Sequence, residues 1–513
     1  MSKSMEQREK NKIEFGDFQT PRELALLICQ FLKSTDVAPL SIVEPTCGKG
    51  SFLIAALETF TSAKQVLGVD INSSYLDGLR DKLCNNPFSD KVKIKQGDFF
   101  TFNWGNIVDT LPEPLLIIGN PPWVTNSELG SINGGNLPKK SNFQNHIGFD
   151  AITGKSNFDI SEWMLMHLIK WTKHKQAIVA MLCKTAVARK VLKHVWQNNL
   201  EVANASIYLI DAKKYFNASA DACLLVFYTN RRQVSNRAYV YPDFTQSLRI
   251  SAIGISHSQL IADIEKYHKW KQLEGEEYCK WRSGIKHDCT KIMELIREGN
   301  LYKNGLGECY ELEDNYLYPL LKSSDVAREK RIDSCIIPRR WVIITQKFIG
   351  QDTSNIRDKA PQIWNYLLDH RKFLDQRKSS IYKNQHPFAI FAIGDYTFSP
   401  WKVAISGLYK KLHFTVIGPY TGKPRMLDDT CYFIPCQDED EANLMADLLN
   451  SSPSREFFSS FIFWDAKRPI TVEILKRIDL VKLADVLGKR KEIEFCLNKK
   501  NPYTYNNKQM TLF

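Results

Sequence analysis

The sequence predicts an α/β protein whose first part is a doubly wound, Rossmann-like sheet of seven strands and whose second part is an α+β domain. Short apolar runs alternate with helical patterns over the first part, which is typical of parallel strands joined by helices. One run, Leu115–Ile118, is apolar throughout, as expected for a strand buried on both faces. The segment Thr229–Ser251 is rich in Arg, Asn and Ser and predicts a boundary, so we expect domains over residues 1–235 and 236–513.

The individual elements follow from local patterns. The seven expected strands are Ser41–Val43, Gln65–Val69, Val92–Lys95, Leu115–Ile118, Ala177–Leu182, Ser206–Ile210 and Ala222–Tyr228, with helical patterns over Ser51–Phe60 and Phe158–Trp171. In the second half the β-like runs are Trp341–Thr345, Ala389–Ile393, Leu412–Ile417 and Cys431–Ile434, and the helical patterns are Glu441–Leu449 and Ile474–Val486. They indicate one α+β domain or two smaller ones, and periodicity leaves their order open.

Composition limits the class of protein. The 513 residues are 43% hydrophobic and 25% charged, as in ordinary globular proteins. No apolar stretch reaches the roughly 18 residues of a membrane span, and the first twelve residues are too polar for a signal peptide. The twelve cysteines include no Cys-x-x-Cys pair, so we expect reduced thiols in a cytoplasm and no metal site. His287-Asp288-Cys289 lacks a second pair at ligand spacing.

The positive charge is unevenly distributed. The net charge is +12, and residues 331–430 hold 16 Lys and Arg against 8 Asp and Glu. The same segment contains the aromatic residues Trp341, Trp364, Tyr382, Tyr396 and Trp401. Basic side chains interleaved with aromatic ones suit contacts to nucleic-acid phosphates and bases, although a solvated surface would have the same composition.

The strand Leu115–Ile118 leads through Gly119 into Asn120-Pro121-Pro122-Trp123. Two prolines cannot continue a strand ladder, so the chain must turn rigidly at the carboxyl end of the strand, where open α/β sheets bind ligands. An amide that accepts hydrogen bonds beside a flat aromatic ring suits a planar amine such as the exocyclic NH2 of a nucleobase. A plain strand-to-turn junction is the alternative.

A second candidate site follows the first strand. Gly48 and Gly50 lie between that strand and the next helical pattern, where a missing Cβ lets backbone approach a ligand. Asp70 ends the second strand at the distance where an acidic side chain typically binds ribose hydroxyls. Asp98 and Phe99 follow the third strand and offer an acceptor and a ring face for adenine. A single carboxylate at such a position is more often a solvated or capping residue. Here each of the first three predicted strands ends near a carboxylate, namely Glu44, Asp70 and Asp98, and this regularity favours a binding site.

This order of motifs resembles the gamma-class DNA adenine methyltransferases of the TaqI type. In that family a Phe-x-Thr-Pro motif, here Phe18-Gln19-Thr20-Pro21, precedes the glycine loop, the acidic residues, Asn-Pro-Pro-aromatic and a target-recognition domain. The resemblance covers residues 13 to 230, with Cys47 and Lys49 as departures. It implies S-adenosylmethionine as methyl donor. The implied cofactor contacts are Thr20, Glu44 and Thr46 at the methionine end, Asp70 at the ribose, and Ile71, Asp98 and Phe99 at the adenine. Thr20 as a helix cap is the alternative for that position.

The resemblance also implies the chemistry. The target base would be flipped out of the duplex, and the Asn120 side-chain carbonyl and Pro121 backbone carbonyl would accept hydrogen bonds from its amine. Pro122 would keep the turn rigid, Trp123 would stack on one face of the base, and Phe216 would stack on the other. A core position for Phe216 is the alternative.

Candidate DNA contacts lie in two regions. Val124–Ser156 is a long loop dense in Gly, Asn and Ser, and we expect a lid or a DNA-contacting loop with Lys139 and Lys140 as contacts. In the second domain Arg339, Arg340 and Lys402 are the preferred candidates, followed by Arg377, Lys378, Lys410 and Lys411. Simple disorder is the alternative for the loop, and solvated charges on a helix face are the alternative for Arg377 and Lys378.

Together these features predict a stand-alone N6-adenine methyltransferase acting on double-stranded DNA, within a restriction–modification pair whose endonuclease is encoded separately. We expect a monomer in the cytoplasm of a prokaryote, associated with the nucleoid. N4-cytosine methylation uses the same amine-accepting geometry, although that chemistry more often carries Ser in place of Asn120. Methylation of a protein glutamine and a non-catalytic DNA-binding subunit are the remaining alternatives.

Overall fold

The computed structural model describes residues 19–124, 159–229 and 234–500. The chain forms two compact units, residues 1–264 and 265–513. Phe18, Lys139, Lys140 and nearly all of the predicted loop Val124–Ser156 lie outside the described residues.

The first unit is built on one sheet that contains all seven predicted strands. Its strands are β1 (Ser41–Glu44), β2 (Gln65–Asp70), β3 (Val92–Gln96), β4 (Leu115–Gly119), β5 (Ala177–Lys184), β6 (Val202–Ile210), β7 (Ala222–Thr229), β8 (Arg237–Tyr241), β9 (Ser251–Ser256) and β10 (Gln259–Ile261). They are ordered β10-β9-β8-β6-β7-β5-β4-β1-β2-β3. Strands β1 to β5 run parallel, and β7 lies antiparallel between β5 and β6. The predicted doubly wound α/β class is confirmed.

The order of the strands indicates where the sheet forms a crevice for a ligand. β1 pairs with β2 on one side and with β4 on the other, so the direction of winding reverses at β1. Open α/β sheets bind ligands at such a switch point, beyond the carboxyl ends of the strands. The residues that follow β1 and β4 therefore face the same crevice.

Helices cover the sheet and complete the core of this unit. They are α1 (Arg22–Ser34), α2 (Ser51–Thr59), α3 (Ser73–Leu83), α4 (Trp104–Thr110), α5 (Ile160–Trp171), α6 (Thr185–Gln197) and α7 (Ala212–Phe216). The α1 face Leu24, Ile28 and Leu32 packs with Phe52 and Leu53 of α2 in one buried cluster. The predicted helices over residues 51–60 and 158–171 are observed as α2 and α5.

The first unit extends further along the chain than residue 235. β8 pairs parallel with β6, β9 pairs antiparallel with β8, and β10 pairs antiparallel with β9. These three strands add to one edge of the sheet, so the sheet has ten strands among the residues that the structure describes, and the unit ends at Ile264. The Arg- and Ser-rich segment that predicted a crossing is thus partly strand.

The second unit is an α+β structure with two sheets. One sheet has the order β11-β21-β18-β19-β16 and the other β14-β13-β12-β17-β15-β20. The strands are β11 (Arg282–Ser283), β12 (Glu294–Glu298), β13 (Leu301–Lys303), β14 (Cys309–Tyr310), β15 (Leu317–Leu321), β16 (Arg331–Ile332), β17 (Trp341–Ile343), β18 (Trp401–Ser406), β19 (Thr415–Ile417), β20 (Met426–Leu427) and β21 (Cys431–Cys436). The α helices are α8 (Ile264–Trp270), α9 (Thr290–Met293), α10 (Ser323–Arg328), α11 (Ile356–Lys359), α12 (Pro361–Asp369), α13 (Arg371–Asp375), α14 (Glu439–Asn450), α15 (Ser452–Ser459), α16 (Val472–Leu475), α17 (Leu480–Val486) and α18 (Arg490–Lys500).

Two predicted elements of the second unit are wrong. Ala389–Ile393 is largely buried but forms only a bridge from Phe391 to Lys286, so its apolar run marks core and not a strand. The helix expected over Ile474–Val486 is split into α16 and α17, because Asp479 caps a new helix through the backbone N–H groups of Val481 and Lys482. Among the described helices none is long and apolar enough to span a membrane.

Candidate active site

The predicted site residues of the first unit converge at the carboxyl edge of its sheet. In the parallel ladders Glu44 lies opposite Gly68, Asp70 opposite Gln96, and Val43 opposite Ile117. The ends of β1, β2, β3 and β4 therefore share one edge. Glu44 and Asp70 are the last residues of β1 and β2, and Asp98 and Asn120 follow β3 and β4, so the four residues are brought to this edge.

The glycine loop between β1 and α2 adopts a shape that favours glycine. Gly48 and Gly50 have φ values of +46° and +79°, a region that side-chain-bearing residues rarely occupy. A Cβ on Gly50 would lie 2.2 Å from Leu79 Cδ1. The Lys49 N–H donates to Gln19 Oε1 at 3.2 Å, so Gln19 borders the loop.

Asp70 organises this loop. Its Oδ2 accepts a hydrogen bond from the Gly48 N–H at 2.7 Å, and its Oδ1 accepts one from the Asn72 N–H at 2.9 Å. Ile71 directly after it is 37% exposed, an apolar side chain next to a carboxylate at the strand edge. The predicted ribose and adenine contacts thus lie side by side, and the loop-binding role of Asp70 was missed from the sequence.

Glu44 and Thr20 are both buried. Glu44 is 3% exposed and its Oε2 accepts from the Leu53 N–H of α2 at 2.8 Å. Burial and the nearby Asp70 carboxylate raise the pKa of Glu44 well above its usual value, against the opposing effect of the Leu53 hydrogen bond. Thr20 is 8% exposed, and α1 begins at Arg22 with Pro21 in the capping position, so Thr20 is not the helix cap.

Asp98 and Phe99 follow β3. Asp98 Oδ1 accepts from the Phe100 N–H at 2.9 Å. The ring of Phe99 is 6% exposed and packs against Trp104 and Trp171, with centroid distances of 5.7 and 5.1 Å. Phe99 therefore belongs to an aromatic cluster that backs this corner of the edge, which extends through Phe100 to Trp163, centroids 4.9 Å apart.

The Asn-Pro-Pro-Trp turn directly follows β4. Thr46 of the glycine loop donates its hydroxyl to the Asn120 backbone carbonyl at 3.4 Å, which joins the two predicted sites. Pro121 is buried, and Asn120 and Pro122 are half-buried. The Trp123 ring meets the Phe216 ring with centroids 5.1 Å apart and planes at 64°. Two aromatic residues that are 93 positions apart in the sequence are thus neighbours in an edge-to-face contact.

Lys184, which binds this turn, and its partner Asp159 were missed from the sequence. Lys184, the last residue of β5, donates from Nζ to the Trp123 carbonyl at 3.0 Å and to Asp159 Oδ2 at 2.8 Å. A lysine that ends a continuous apolar run was the available signal, because β5 neighbours β4 and ends at the same edge.

The candidate DNA contacts of the second unit differ in exposure. Arg339 is exposed, whereas the Arg340 guanidinium pairs with Asp325 at 3.1 Å. Lys402 is only 1% exposed and donates to the Ser399 carbonyl at 2.6 Å. The prediction that Lys402 contacts DNA is therefore corrected, because its ammonium group lies inside the unit. Lys139 and Lys140 lie outside the described residues. Among the residues described, no group of three His, Cys, Asp or Glu is arranged to hold a metal ion.

Comparison with known proteins defines the class. The family model described as N-6 DNA Methylase matches residues 4–283, more than half of the chain. The chain belongs to this family and is a DNA methyltransferase. It is similar to the Type II methyltransferase M.NspV of Nostoc sp., with 48% identity over 93% of this chain and 99% of that protein.

Two further similarities are weaker, one because it covers a small part of the chain and the other because the sequence identity is low. The Type II methyltransferase M.CvrRI of a Paramecium bursaria Chlorella virus is 30% identical over 23% of this chain and 27% of its own length. The Type IIL restriction–modification enzyme MmeI, solved in complex with DNA, aligns with a TM-score of 0.50 and 13% identity. That alignment covers 91% of this chain and 65% of the MmeI chain, and it supports the fold alone.

Proposed function

We propose that this chain transfers a methyl group from S-adenosylmethionine to the N6 amino group of an adenine flipped out of double-stranded DNA, as a gamma-class, TaqI-type enzyme. One observation carries the proposal. The Asn120-Pro121-Pro122-Trp123 turn and Phe216 meet at the carboxyl edge, directly beside the loop that holds Gly48. An amine acceptor, two aromatic rings and a glycine loop are the parts that this reaction needs in one place.

The residues beside β1, β2 and β3 fit S-adenosylmethionine, which supplies an electrophilic methyl group when bound. Gly48 and Gly50 allow close approach of the ligand to the backbone. Asp70 and Asp98 provide acceptors for ribose and adenine, and the exposed Ile71 provides an apolar face for a ring. Thr20, Glu44 and Thr46 would border the methionine end. Phe99 would support the adenine side from the aromatic cluster.

Asn120 and Pro121 would activate the target amine. The lone pair of the adenine amino nitrogen delocalises into the ring, so this nitrogen is a poor nucleophile. The side-chain carbonyl of Asn120 and the backbone carbonyl of Pro121 would accept its two hydrogens and draw electron density back onto the nitrogen. By holding the nitrogen in a fixed position, these two acceptors would also lower the barrier through positioning.

Trp123 and Phe216 would hold the flipped base between their rings. A base between two stacked rings requires those rings to lie roughly 7 Å apart, two van der Waals contacts of about 3.5 Å. The observed centroid distance is 5.1 Å, so base entry requires the rings to separate and turn. Stacking returns about 1–3 kcal/mol per base, which offsets part of the cost of flipping.

The biological setting follows from the relatives. A Type II methyltransferase at 48% identity supports a modification enzyme that protects DNA from a cognate restriction endonuclease encoded separately. Catalytic and recognition units in one chain support action as a monomer. The substrate would be chromosomal DNA in the cytoplasm of a prokaryote, at the nucleoid.

The test is expression in a host that lacks adenine methylation, followed by genome-wide mapping of modified bases by single-molecule sequencing. We expect N6-methyladenine at one short repeated sequence, and none with the Asn120→Ala variant. Modified cytosine in place of adenine would assign the sister N4-cytosine chemistry. Unmodified DNA from soluble protein that binds S-adenosylmethionine would overturn the proposal and favour a non-catalytic subunit or a protein substrate.

A further inference from the structure

We propose that Lys184 and Asp159 are positioning residues that hold Trp123 against the flipped base. The inference rests on the proposed function, because it assumes that Trp123 stacks on the target. It concerns the backbone that carries the ring, for which the family motifs quoted above assign no residue.

Lys184 binds the turn from the neighbouring strand. It is the last residue of β5, and its backbone is fixed in the ladder opposite Ala222 of β7. From there its ammonium group donates to the Trp123 carbonyl at 3.0 Å and to Asp159 Oδ2 at 2.8 Å. A hydrogen bond from a charged donor is roughly twice as strong as a neutral one, so the carbonyl is held firmly.

Asp159 fixes the ammonium group in turn. It caps α5, and its Oδ1 accepts from the Ser161 N–H at 3.1 Å and from the Ser161 hydroxyl at 2.5 Å. Its side chain is 7% exposed, so the ion pair with Lys184 is shielded from water on the carboxylate side. Ser161 of α5 therefore holds one carboxylate oxygen of Asp159, and the other oxygen is left to bind Lys184.

A second bond holds the residue after Trp123. The Ile160 N–H at the start of α5 donates to the Val124 carbonyl at 3.0 Å. Two successive carbonyls are therefore bound, that of Trp123 by Lys184 and that of Val124 by α5. Pro121 and Pro122 have no N–H to join a strand ladder, so β4 cannot fix the chain at this point. Lys184 and the start of α5 supply the restraint that the prolines remove from the ladder.

The restraint matters for the reaction because the two rings must separate when a base enters. Phe216 ends α7, which leads into β7, and β7 is the strand on which Lys184 is aligned. The supports of both rings are therefore joined through the β5–β7 ladder. Without Lys184 the Trp123 backbone would shift when the base enters between the rings. The amino group of the base would then lose its alignment with Asn120.

The test compares Lys184→Met with Lys184→Arg and with a matched control. Lys190→Met is the control, because Lys190 of α6 pairs with Glu162 of α5 at 3.2 Å, and the Lys190 side chain is 52% exposed. Each variant is assayed for kcat, for KM of DNA and of S-adenosylmethionine, and for thermal stability. The DNA is a duplex containing the mapped site, with adenine or the fluorescent base 2-aminopurine at the target position.

We expect Lys184→Met to lower kcat by about 10- to 100-fold, since a small misplacement of reacting groups has effects of that size, with both KM values unchanged. The fluorescence of bound 2-aminopurine should differ from that in the wild-type complex, because the ring beside it is displaced. Lys184→Arg should restore most of kcat, and Lys190→Met should match the wild type.

Wild-type kcat and 2-aminopurine fluorescence in folded Lys184→Met would overturn the inference. If that variant does not fold, Asp159→Asn tests the same pair, since an amide keeps an acceptor for Lys184 while removing the charge. Unchanged kcat and fluorescence in Asp159→Asn would then overturn it. Failure of the proposed function is distinct, because the wild type itself would then produce no change in 2-aminopurine fluorescence.

Discussion

The two units of this chain use polar side chains in opposite ways. In the first unit the polar residues that matter lie at the ends of consecutive strands and bind backbone groups beside a crevice, as Asp70 does with Gly48 and Lys184 does with Trp123. In the second unit the basic residues are partly internal. Arg425 is fully buried and donates to the carbonyls of Asp333 and Ile336 at 2.7 and 2.6 Å.

Position along a strand therefore indicates the location of a polar side chain better than its charge does. Parallel strands force their carboxyl ends to one edge, so a polar residue that ends an apolar run has a known location. An excess of Lys and Arg in a segment does not indicate where those side chains lie in the folded chain. The segment 331–430 has a net charge of +8, yet two of its cations, Lys402 and Arg425, are buried in the interior of the second unit.

The largest expected effect is at the strand-end site. Asn120→Ala should lower kcat by about 10²–10³-fold or more, because it removes a fixed acceptor aimed at the reacting amine. DNA binding measured by fluorescence anisotropy should remain close to that of the wild type. Parallel loss of binding and activity in folded protein would mean that Asn120 serves the structure of the crevice and not the chemistry.

The stacking pair should have the next largest effect. Trp123→Ala and Phe216→Ala should each lower kcat/KM roughly tenfold to a hundredfold, since each removes about 1–3 kcal/mol of stacking. Trp123→Phe, which keeps a ring, serves as the matched control and should lose less. Equal losses in Trp123→Phe and Trp123→Ala would show that the indole, and not stacking on a ring face, is required.

Arg339 tests whether exposure identifies a DNA contact in the second unit. Replacing the exposed Arg339 by Ala should weaken DNA binding and reduce the slope of log affinity against log salt by about 1, as loss of one phosphate contact would. Arg340→Ala should have less effect on this slope because Arg340 is paired with Asp325. A larger change at Arg340 would reverse this ranking of the two residues.

Lys402 should affect stability and not DNA binding. Burial lowers the pKa of Lys402 to about 7. Between this value and the usual value of 10.5, the unfolded chain binds a proton that the folded chain does not, so wild-type stability rises with pH in that window.

Lys402→Met has no such proton, and its stability advantage over the wild type should be greatest near pH 7 and shrink towards pH 10.5. Denaturant titrations across this range measure the difference. A stability difference that does not vary with pH would show that Lys402 stays protonated in the folded chain. A weaker salt dependence of DNA binding in Lys402→Met than in the wild type would show that Lys402 contacts DNA after all.

The sequence was sufficient for strands β1 to β7 of the first unit because their signals are local, whereas the edge strands β8 to β10 were missed. Seven apolar runs and the residues that end them predicted those seven strands, the doubly wound class and the edge at which Asp70 and Asn120 meet. The stacking neighbour Phe216 required the family resemblance, since nothing near residue 216 indicates a contact with residue 123. Lys184 was missed because its partners, the Trp123 carbonyl and Asp159, are defined only by the folded turn.

The second unit was less predictable for physical reasons. Its strands are short, and several have two or three residues, too few for an alternating pattern to be recognised. Apolar runs such as Ala389–Ile393 are buried without joining a sheet. Burial of Lys402 depends on residues brought from other parts of the chain, such as Phe433, which no local pattern around residue 402 reveals.

A crystal structure of the enzyme with a duplex containing its mapped site and an unreactive analogue of S-adenosylmethionine would show whether the target base is flipped into this site. We expect one adenine outside the duplex, between the rings of Trp123 and Phe216. Its N6 should lie at hydrogen-bond distance, about 3 Å, from both Asn120 Oδ1 and the Pro121 carbonyl. An adenine still paired within the duplex, or a cytosine at this position, would contradict the account.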